Sequence, residues 1–305
     1  MKTISFCLLL ITSTNNLFAQ SAREIPPIPT VDSFDLKGNV TALTEQRFTF
    51  PGGIPVFQYK KEISFNALGM ADTLVVSAAP EEVPVTNIYR YDEQNRIKEL
   101  VTWKRTDMED SMLFLHNNEG QLRKIRWYDG EDRLGKVTRF RYSGGRLLYI
   151  RKEDGQNRLQ GMIRFRHYGS NEYKRMVFDN HLRLTFSEVF TEERDTLNSS
   201  RTVIRYNYTN TDSLSSMVSA RYDRQGRLTA LVRTAADKNV TDYLTNIYNE
   251  QGYLTEQTAF ADSKVRAVYS YELDEAGNWL KRERHVDGEL AETVMRKLSY
   301  GSSTP

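Results

Sequence analysis

Tyr89-Arg90-Tyr91-Asp92-Glu93-Gln94-Asn95-Arg96-Ile97 and Arg221-Tyr222-Asp223-Arg224-Gln225-Gly226-Arg227-Leu228 are two copies of one unit. An aromatic residue and an Asp lead into a turn ending on Asn or Gly, and an apolar residue follows two places on. A three-residue hairpin loop built from a type I turn needs its last residue in the left-handed region, which Gly enters freely and Asn tolerates. With Glu93 to Asn95 as the loop, Asp92 faces Arg96 across the ladder and Tyr91 faces Ile97, a polar pair beside an apolar one. Asp at the strand end also accepts a hydrogen bond from its own backbone two residues on, favouring the turn before the strands pair.

The same setting recurs at Gly69, Asn95, Gly120, Gly145, Asn171, Gly226, Gly252 and Gly277, at steps of 26, 25, 25, 26, 55, 26 and 25 residues. The long step is close to a double one, so the chain is a repeat array. Asn66, Asn117, Asn249 and Asp274 stand where Asp92 does. Phe65, Tyr91, Tyr222 and Tyr248, with Tyr142 and Tyr168 in two copies with shorter turns, hold the aromatic position. Opposite them fall Ala71, Ile97, Leu122, Leu147, Tyr173, Leu228, Leu254 and Trp279, which predicts a continuous apolar stripe. His116 and Leu273 break the aromatic pattern.

A second set of turns lies between the anchors, at Glu109-Asp110, Asp129-Gly130, Glu153-Asp154-Gly155, Asp237-Lys238-Asn239, Asp262-Ser263 and Asp287-Gly288, so each repeat holds two strands. In Val137-Thr138-Arg139-Phe140-Arg141-Tyr142 the arginines point one way and the aromatics the other, the period of a half-buried strand. The chain reads as all-β, a long antiparallel meander of about 20 strands built from hairpin repeats of about 25–26 residues. Its apolar face has to bury against itself. A round closed barrel of that many strands is too wide to fill, so the expectation is a sheet rolled or folded until its faces approach to about 10 Å. Residues 172–213 fit the period worst, and an insertion or altered pair of repeats is expected there.

Lys2, the apolar run Ile4–Ile11 and Leu17-Phe18-Ala19 make residues 1–19 a secretory signal peptide, cleaved after Ala19. Cys7, the one cysteine, lies inside that run, so the mature chain has no disulfide or thiolate site. Residues 20–34, with Pro26, Pro27 and Pro29, read as a linker, residues 35–300 as one repeat domain and residues 301–305 as a tail. No other apolar run approaches the roughly 18 residues of a membrane-spanning helix. A formal net charge of +2, with both signs mixed along the strands, is no nucleic-acid footprint.

The two quoted units, with Tyr269-Ser270-Tyr271 leading to Gly277-Asn278-Trp279, resemble the YD or Rhs repeat, centred on Tyr-x-Tyr-Asp-x-x-Gly-Arg-Leu. The last copy, through Leu280-Lys281-Arg282, and the opening Asp35-Leu36-Lys37-Gly38-Asn39-Val40 are similar to secreted Gram-negative proteins of uncharacterised function. A weaker likeness is to MORN-type hairpin repeats. The resemblance covers most of residues 38–300 and implies an extended, curling β-sheet. In large relatives that sheet is a shell around a toxin, a role not expected of a chain with no further domain before Pro305. The shared motif is a turn, so no functional residue carries over.

His116, His167, His181 and His285 have no ligand spacing, and His116 reads as a packing residue in a Tyr position. The acidic pairs Glu109-Asp110, Glu131-Asp132 and Glu153-Asp154 read as solvated loop ends rather than a calcium site. Acidic residues occur throughout, so a glycosidase pair stands out nowhere. Trp103, Trp127 and Trp279 suit core packing, with a glycan-binding surface as the other use of such rings. The expectation is no catalytic, cofactor or metal site, in an exported periplasmic or extracellular protein offering a noncatalytic β-surface to a protein or glycan. A glycan-active hydrolase or lyase and an outer-membrane β-barrel are the alternatives.

Overall fold

The computed structural model describes residues 26–195, 199–237, 239–260 and 263–301, so the expected leader and most of the tail lie outside the described residues. The strands are β1 (Val40–Thr49), β2 (Val56–Phe65), β3 (Ala71–Ser77), β4 (Val85–Tyr91), β5 (Ile97–Lys104), β6 (Asp107–His116) and β7 (Leu122–Asp129). They continue as β8 (Leu134–Ser143), β9 (Arg146–Asp154), β10 (Leu159–His167), β11 (Glu172–Phe178), β12 (Leu184–Asp195), β13 (Ser200–Tyr208) and β14 (Leu214–Tyr222). The last are β15 (Leu228–Ala235), β16 (Val240–Tyr248), β17 (Leu254–Phe260), β18 (Lys264–Leu273), β19 (Trp279–Val286) and β20 (Glu289–Tyr300). Each pairs antiparallel with its neighbours in sequence, and β1 also pairs with β20. The meander therefore rolls until it closes, as a 20-stranded barrel.

Closure, against the expectation of an interior too wide to fill, is possible because large side chains occupy that interior. Phe65, Tyr89, Phe114, Phe140, Phe165 and Phe190 join one buried cluster on the inward face, and Ile125 and Ile150 are 0% exposed. Outward residues alternate with these and carry charge, as the side chain of Arg90 does at 62% exposure. Aromatic residues bury roughly 150–250 Å² each, which makes them efficient fillers of a broad interior.

The turn chemistry is as expected. The Asn95 N–H donates to the Asp92 carbonyl at 2.9 Å, and the Asp92 N–H to the Arg96 carbonyl at 2.9 Å. Asp92 Oδ1 accepts from the Gln94 and Arg96 amides while Oδ2 receives Arg96 Nε at 2.8 Å. Asn95 has φ of 59° and Gly226 of 80°. Tyr91 pairs with Ile97 and Tyr222 with Leu228, each beside a register shift of the ladder.

Four details extend or correct the sequence reading. In the fifth copy His167, not Tyr168, faces Tyr173, and Gly169 rather than Asn171 takes the positive φ, at 115°. Residues 172–213 are a lengthened pair of repeats, one of the two expected outcomes: β12 runs 12 residues, and the positive-φ turn residues Leu182 and Asp212 stand 30 apart where Asp132, Asn157 and Leu182 stand 25 apart. Glu109-Asp110 lies within β6, the turn before it being at Arg105, with φ of 57°. The opposite rim uses the same clasp: Asp129–Arg133, Asp154–Arg158 and Asp179–Arg183 repeat the Asp92–Arg96 pattern, with Asp132, Asn157 and Leu182 at positive φ.

Repeats are tied to one another by a bond the pattern did not predict. The hydroxyls of Tyr91, Tyr248 and Tyr271 donate to the carbonyls of Ala71, Leu228 and Leu254 at 2.7, 2.8 and 2.8 Å. Each acceptor is the apolar partner in the preceding repeat. His167 Nε2 meets the Leu147 carbonyl in the same way, at 2.9 Å. Tyrosine is favoured here because it fills the interior and satisfies a main-chain oxygen at once.

The stretch read as a linker is in part a strap across the anchor end. Ile28, Val31 and Phe34 pack on the core cluster, Thr30 bridges to Met70, and the Val31 N–H donates to the Gly69 carbonyl at 2.9 Å. At its far side the Lys37 N–H donates to Asn278 Oδ1 at 2.6 Å, and Asn278 Nδ2 returns a bond to the Lys37 carbonyl at 2.9 Å. Ile28 between the prolines, and Val31 and Phe34 after them, explain the docking, since the barrel end offers these apolar residues burial.

Candidate functional site

Where first and last strands meet, inward positions that hold apolar residues elsewhere hold charge. The β1 run Leu43-Thr44-Glu45-Gln46-Arg47 sends Leu43, Glu45 and Arg47 inward, and register places Glu45 beside Lys61 and Arg296, and Arg47 beside Tyr59 and Val294. On β19, Arg282 and Arg284 sit opposite Val294 and Glu292. Arg296 Nε meets Glu45 Oε2 at 2.9 Å and the Tyr59 hydroxyl donates to Glu45 Oε1 at 2.9 Å. Glu292 is shared by Arg47 at 2.6 Å and Arg282 at 2.8 Å.

Burial alone would push the Glu45 carboxyl up, but Arg296 and Lys61, with the Tyr59 hydrogen bond, hold it below its ordinary value. The Tyr59 hydroxyl is raised by burial and by the adjacent Glu45 charge. Arg296 Nη1 also donates to the Phe34 carbonyl at 2.9 Å, and its guanidinium lies 3.4 Å from the Trp279 ring centroid. The strap, the barrel seam and the last repeat thus meet at one arginine. A smaller version spans β11 to β13, where Glu188 is 2.5 Å from Arg175 and 3.8 Å from Arg205.

Chemically these carboxylates are committed acceptors, each held by at least one guanidinium. A base or nucleophile needs a carboxylate free to receive a proton or attack, and pairing of this kind lowers its basicity. The Nε atoms of Arg47, Arg282 and Arg284 are buried with no hydrogen-bond partner. A separate open cleft of about 250 Å³ lies at the anchor rim between Asn117, Gln121, Phe140, Tyr142 and Gly144.

The structure scatters the residues singled out in the sequence. His116 ends β6 opposite Leu122, with its pKa lowered by burial, His167 caps Leu147, His181 is in a turn and His285 is on β19. Glu131 pairs with Arg133, Glu153 with Arg139 and Arg151, and Asp154 with Arg158. Among the described residues no three His, Cys, Asp or Glu side chains are grouped to hold a metal ion. Trp279 is buried, Trp127 lies under Lys136 at 5.2 Å, and Trp103 is on β5. The seam residues Glu45, Arg47, Arg282, Glu292 and Arg296 were not singled out in the sequence; the available signal was charge at inward parity on β1, β19 and β20.

No family model matches the chain and no curated protein matches it. Among solved structures it is similar to a porin-like protein from Bacteroides uniformis, at 10% identity over 89% of this chain and 98% of that one, with a TM-score of 0.35. A porin-like protein from Bacteroides vulgatus is similar at 12% identity over 63% and 94%, with a TM-score of 0.32. TcdB2-TccC3 without its hypervariable C-terminal region is similar at 8% identity over 76% of this chain and 18% of that one, with a TM-score of 0.23. Likeness at this distance carries nothing about function.

Proposed function

We propose that this is an exported, noncatalytic β-repeat barrel of the YD type that stays in water and serves as a scaffold or binding surface for a protein or glycan at the cell envelope. The observation that carries the reading is the direction of its charge. Arg139, Arg151 and Arg164 pair through mid-strand positions on the face opposite Phe140, Ile150 and Ile163. A cationic side chain facing lipid at the bilayer midplane costs about 2–4 kcal/mol in a β-barrel, so several of them oppose immersion in a membrane. The aromatic interior is what a barrel surrounded by water requires. Commitment of the seam carboxylates to arginines favours a structural over a hydrolytic role.

Cyclic pairing of consecutive strands is also the plan of a membrane barrel, which keeps that second reading in view. Fractionation of the native host separates the two. Release of the protein by osmotic shock, or its recovery from medium, is expected; retention in the outer membrane through salt and carbonate washes would overturn the proposal. Crosslinking of the tagged mature protein in its own envelope, with glycans retained, then identifies the partner class.

A further inference from the structure

On the outward face of β4, β5 and β17 to β19, charges meet charges of opposite sign. Arg90 lies opposite Glu99 at 2.6 Å, Lys281 opposite Glu272 at 3.1 Å, and Arg266 reaches Glu256 at 2.7 Å. On β7 to β10 they do not. One outward ladder row reads Lys124, Arg139, Arg151, each directly opposite the next, and the row beside it reads Arg141, Tyr149, Arg164. Arg126 and Arg166 share the face. Among the described residues the outward ladder positions of these four strands hold one carboxylate, Glu153, whose two oxygens are taken by Arg151 and Arg139 at 2.8 Å each. Like charges directly opposite destabilise a sheet, and nothing in the turn chemistry of the repeat requires them. Burial first, and then Arg139, Arg126 and Arg123, press the Lys124 ammonium below its ordinary pKa, the mark of a positive field.

The same face runs into the anchor-rim cleft, which Arg123 and Arg141 also line. That cleft is a gap in a regular series. In several repeats the residue after the anchor reaches the next anchor turn. Arg96 Nη1 lies 3.6 Å from where a Cβ on Gly120 would stand, Arg227 Nη1 3.5 Å from the same place at Gly252, and Arg146 Nη1 donates to the Gly169 carbonyl at 2.8 Å. The equivalent residue after Gly120 is Gln121, which is shorter and turned back, its Oε1 accepting from Asn117 Nδ2 at 3.0 Å. Among the described residues, chain neighbours apart, nothing lies within 4 Å of the Cβ place of Gly144 or Gly145. The step between these two turns is therefore open, and Tyr142 and Ser143 line it with the two amides.

We infer that the cleft and the cationic rows beside it form one binding site for an acidic polysaccharide whose residues carry carboxylates, a glycan of the uronate type. Such a site deepens the proposed binding role and depends on it. A pyranose bearing a carboxylate offers an apolar ring face, hydroxyls and an anion within one residue. Tyr142 suits the first, Asn117 and Gln121 the second, and Arg123 and Arg141 the third. Beyond the cleft, Arg164, Arg139 and Arg151 continue the track, and a guanidinium matches a carboxylate in a bidentate fork. Four strands at about 4.8 Å and three outward rows at about 6.8 Å make a face roughly 19 Å by 20 Å, long enough for a short oligosaccharide. A bound polyanion offsets the repulsion within the rows, whereas a neutral glycan leaves it.

Retention of the mature protein on immobilised polygalacturonate, alginate and hyaluronan, with neutral dextran as the control, tests it. Binding to at least one of the acidic glycans and none to dextran is expected at low salt, with release near about 1 M, where the Debye length falls to about 3 Å. Arg141→Gln combined with Arg164→Gln should weaken retention at least about tenfold, through loss of two charge-assisted contacts. Asn117→Asp combined with Gln121→Arg rebuilds the Asp–Arg clasp of the other turns, adds no net charge and fills the open step. Its binding should fall by a similar factor. Thermal melts of both variants check the fold, and the second repeats a clasp the chain already uses, which keeps the test open if the first misfolds. Undiminished retention of the clasp variant, or binding to polyglutamate or single-stranded DNA as strong as to the glycans, would show charge alone at work and overturn the inference. Stronger binding to phosphatidylglycerol vesicles, or no retention on any of the three glycans, would overturn it too. Release from native cells by osmotic shock alongside any of those results would leave the envelope role standing, so the two can fail separately.

Discussion

Leu182 holds, in the turn after β11, the left-handed backbone that Gly226 holds in the turn after β14: φ is 60° at the one and 80° at the other. An L residue in that region costs roughly 1–2 kcal/mol, and a leucine lacks the short polar side chain with which Asn or Asp offsets it. Leu182 is exposed, so its side chain returns little by burial. Leu182→Gly should therefore stabilise the barrel by about 0.5–1 kcal/mol after the greater freedom of Gly in the unfolded chain is deducted. Gly226→Val should destabilise it by about 1 kcal/mol or more. Urea midpoints of both variants check the pair; opposite signs are expected.

The Asp clasps predict an acid response. Hydrogen bonds from Arg96, by side chain and then backbone, hold the Asp92 carboxyl down at about 2, against an ordinary 3.8. Asp129, Asp154 and Asp179 are lowered by the backbone and side-chain bonds of Arg133, Arg158 and Arg183. A carboxylate with a depressed folded-state pKa contributes stability that is complete above its unfolded value and lost as pH falls toward the folded one. Stability should thus drop between about pH 4 and pH 2. Asp92→Asn should flatten its share of that drop, since the amide oxygen keeps the Asx bonds but does not titrate. Urea midpoints measured across this range for both proteins provide the comparison.

At the seam, Arg296 and Glu45 are both almost fully buried, their side chains 6% and 7% exposed. Removing one partner of such a pair strands the other charge, typically at a cost of about 3–5 kcal/mol. Arg296→Met should cost that much, and Glu45→Gln a comparable amount. The double variant should be less destabilised than the sum, because no lone charge remains. A double-mutant cycle on chemical denaturation measures the difference; strict additivity would show the two residues uncoupled.

The strap depends on Asn278, which is 0% exposed and bonds Lys37 through both amide atoms. Asn278→Ala leaves those main-chain groups unpaired at about 1–3 kcal/mol each if they stay dry. Amide exchange at Lys37 should accelerate well before that of β6 to β9, with cleavage appearing in residues 28–39 under limited proteolysis. Exchange that quickens evenly round the barrel would contradict a local role.

Much of this was legible in the sequence, for stated reasons. The Asp92 to Asn95 turn, the Tyr91–Ile97 and Tyr222–Leu228 pairs and the meander follow from short-range chemistry, so local residues suffice to read them. The opposite-rim clasps were harder because Asp132, Asn157 and Leu182 stand where Gly would have marked the turn. Closure was not legible: it rests on the pairing of Val40–Thr49 with Glu289–Tyr300, and no local pattern records which strands meet across the length of a chain. The Glu45–Arg296 contact depends on that same long-range register. A charged residue reads alike whether its strand turns it inward or outward until the neighbours are known.

Pairing of β1 with β20 also fixes when this protein can finish folding. During synthesis the chain grows as a sheet with two open edges, each adding strands by itself or accepting one from another molecule. Those edges meet only after the final strand has emerged, so the most distant contact in the sequence is the last to form and the slowest to search for. An N–H of Gly301 reaching the Asn39 carbonyl at 2.9 Å marks where the ends come together. Adjacent ends make the barrel, in principle, a ring cut at one place, and moving the cut to any exposed turn would leave every strand its two neighbours.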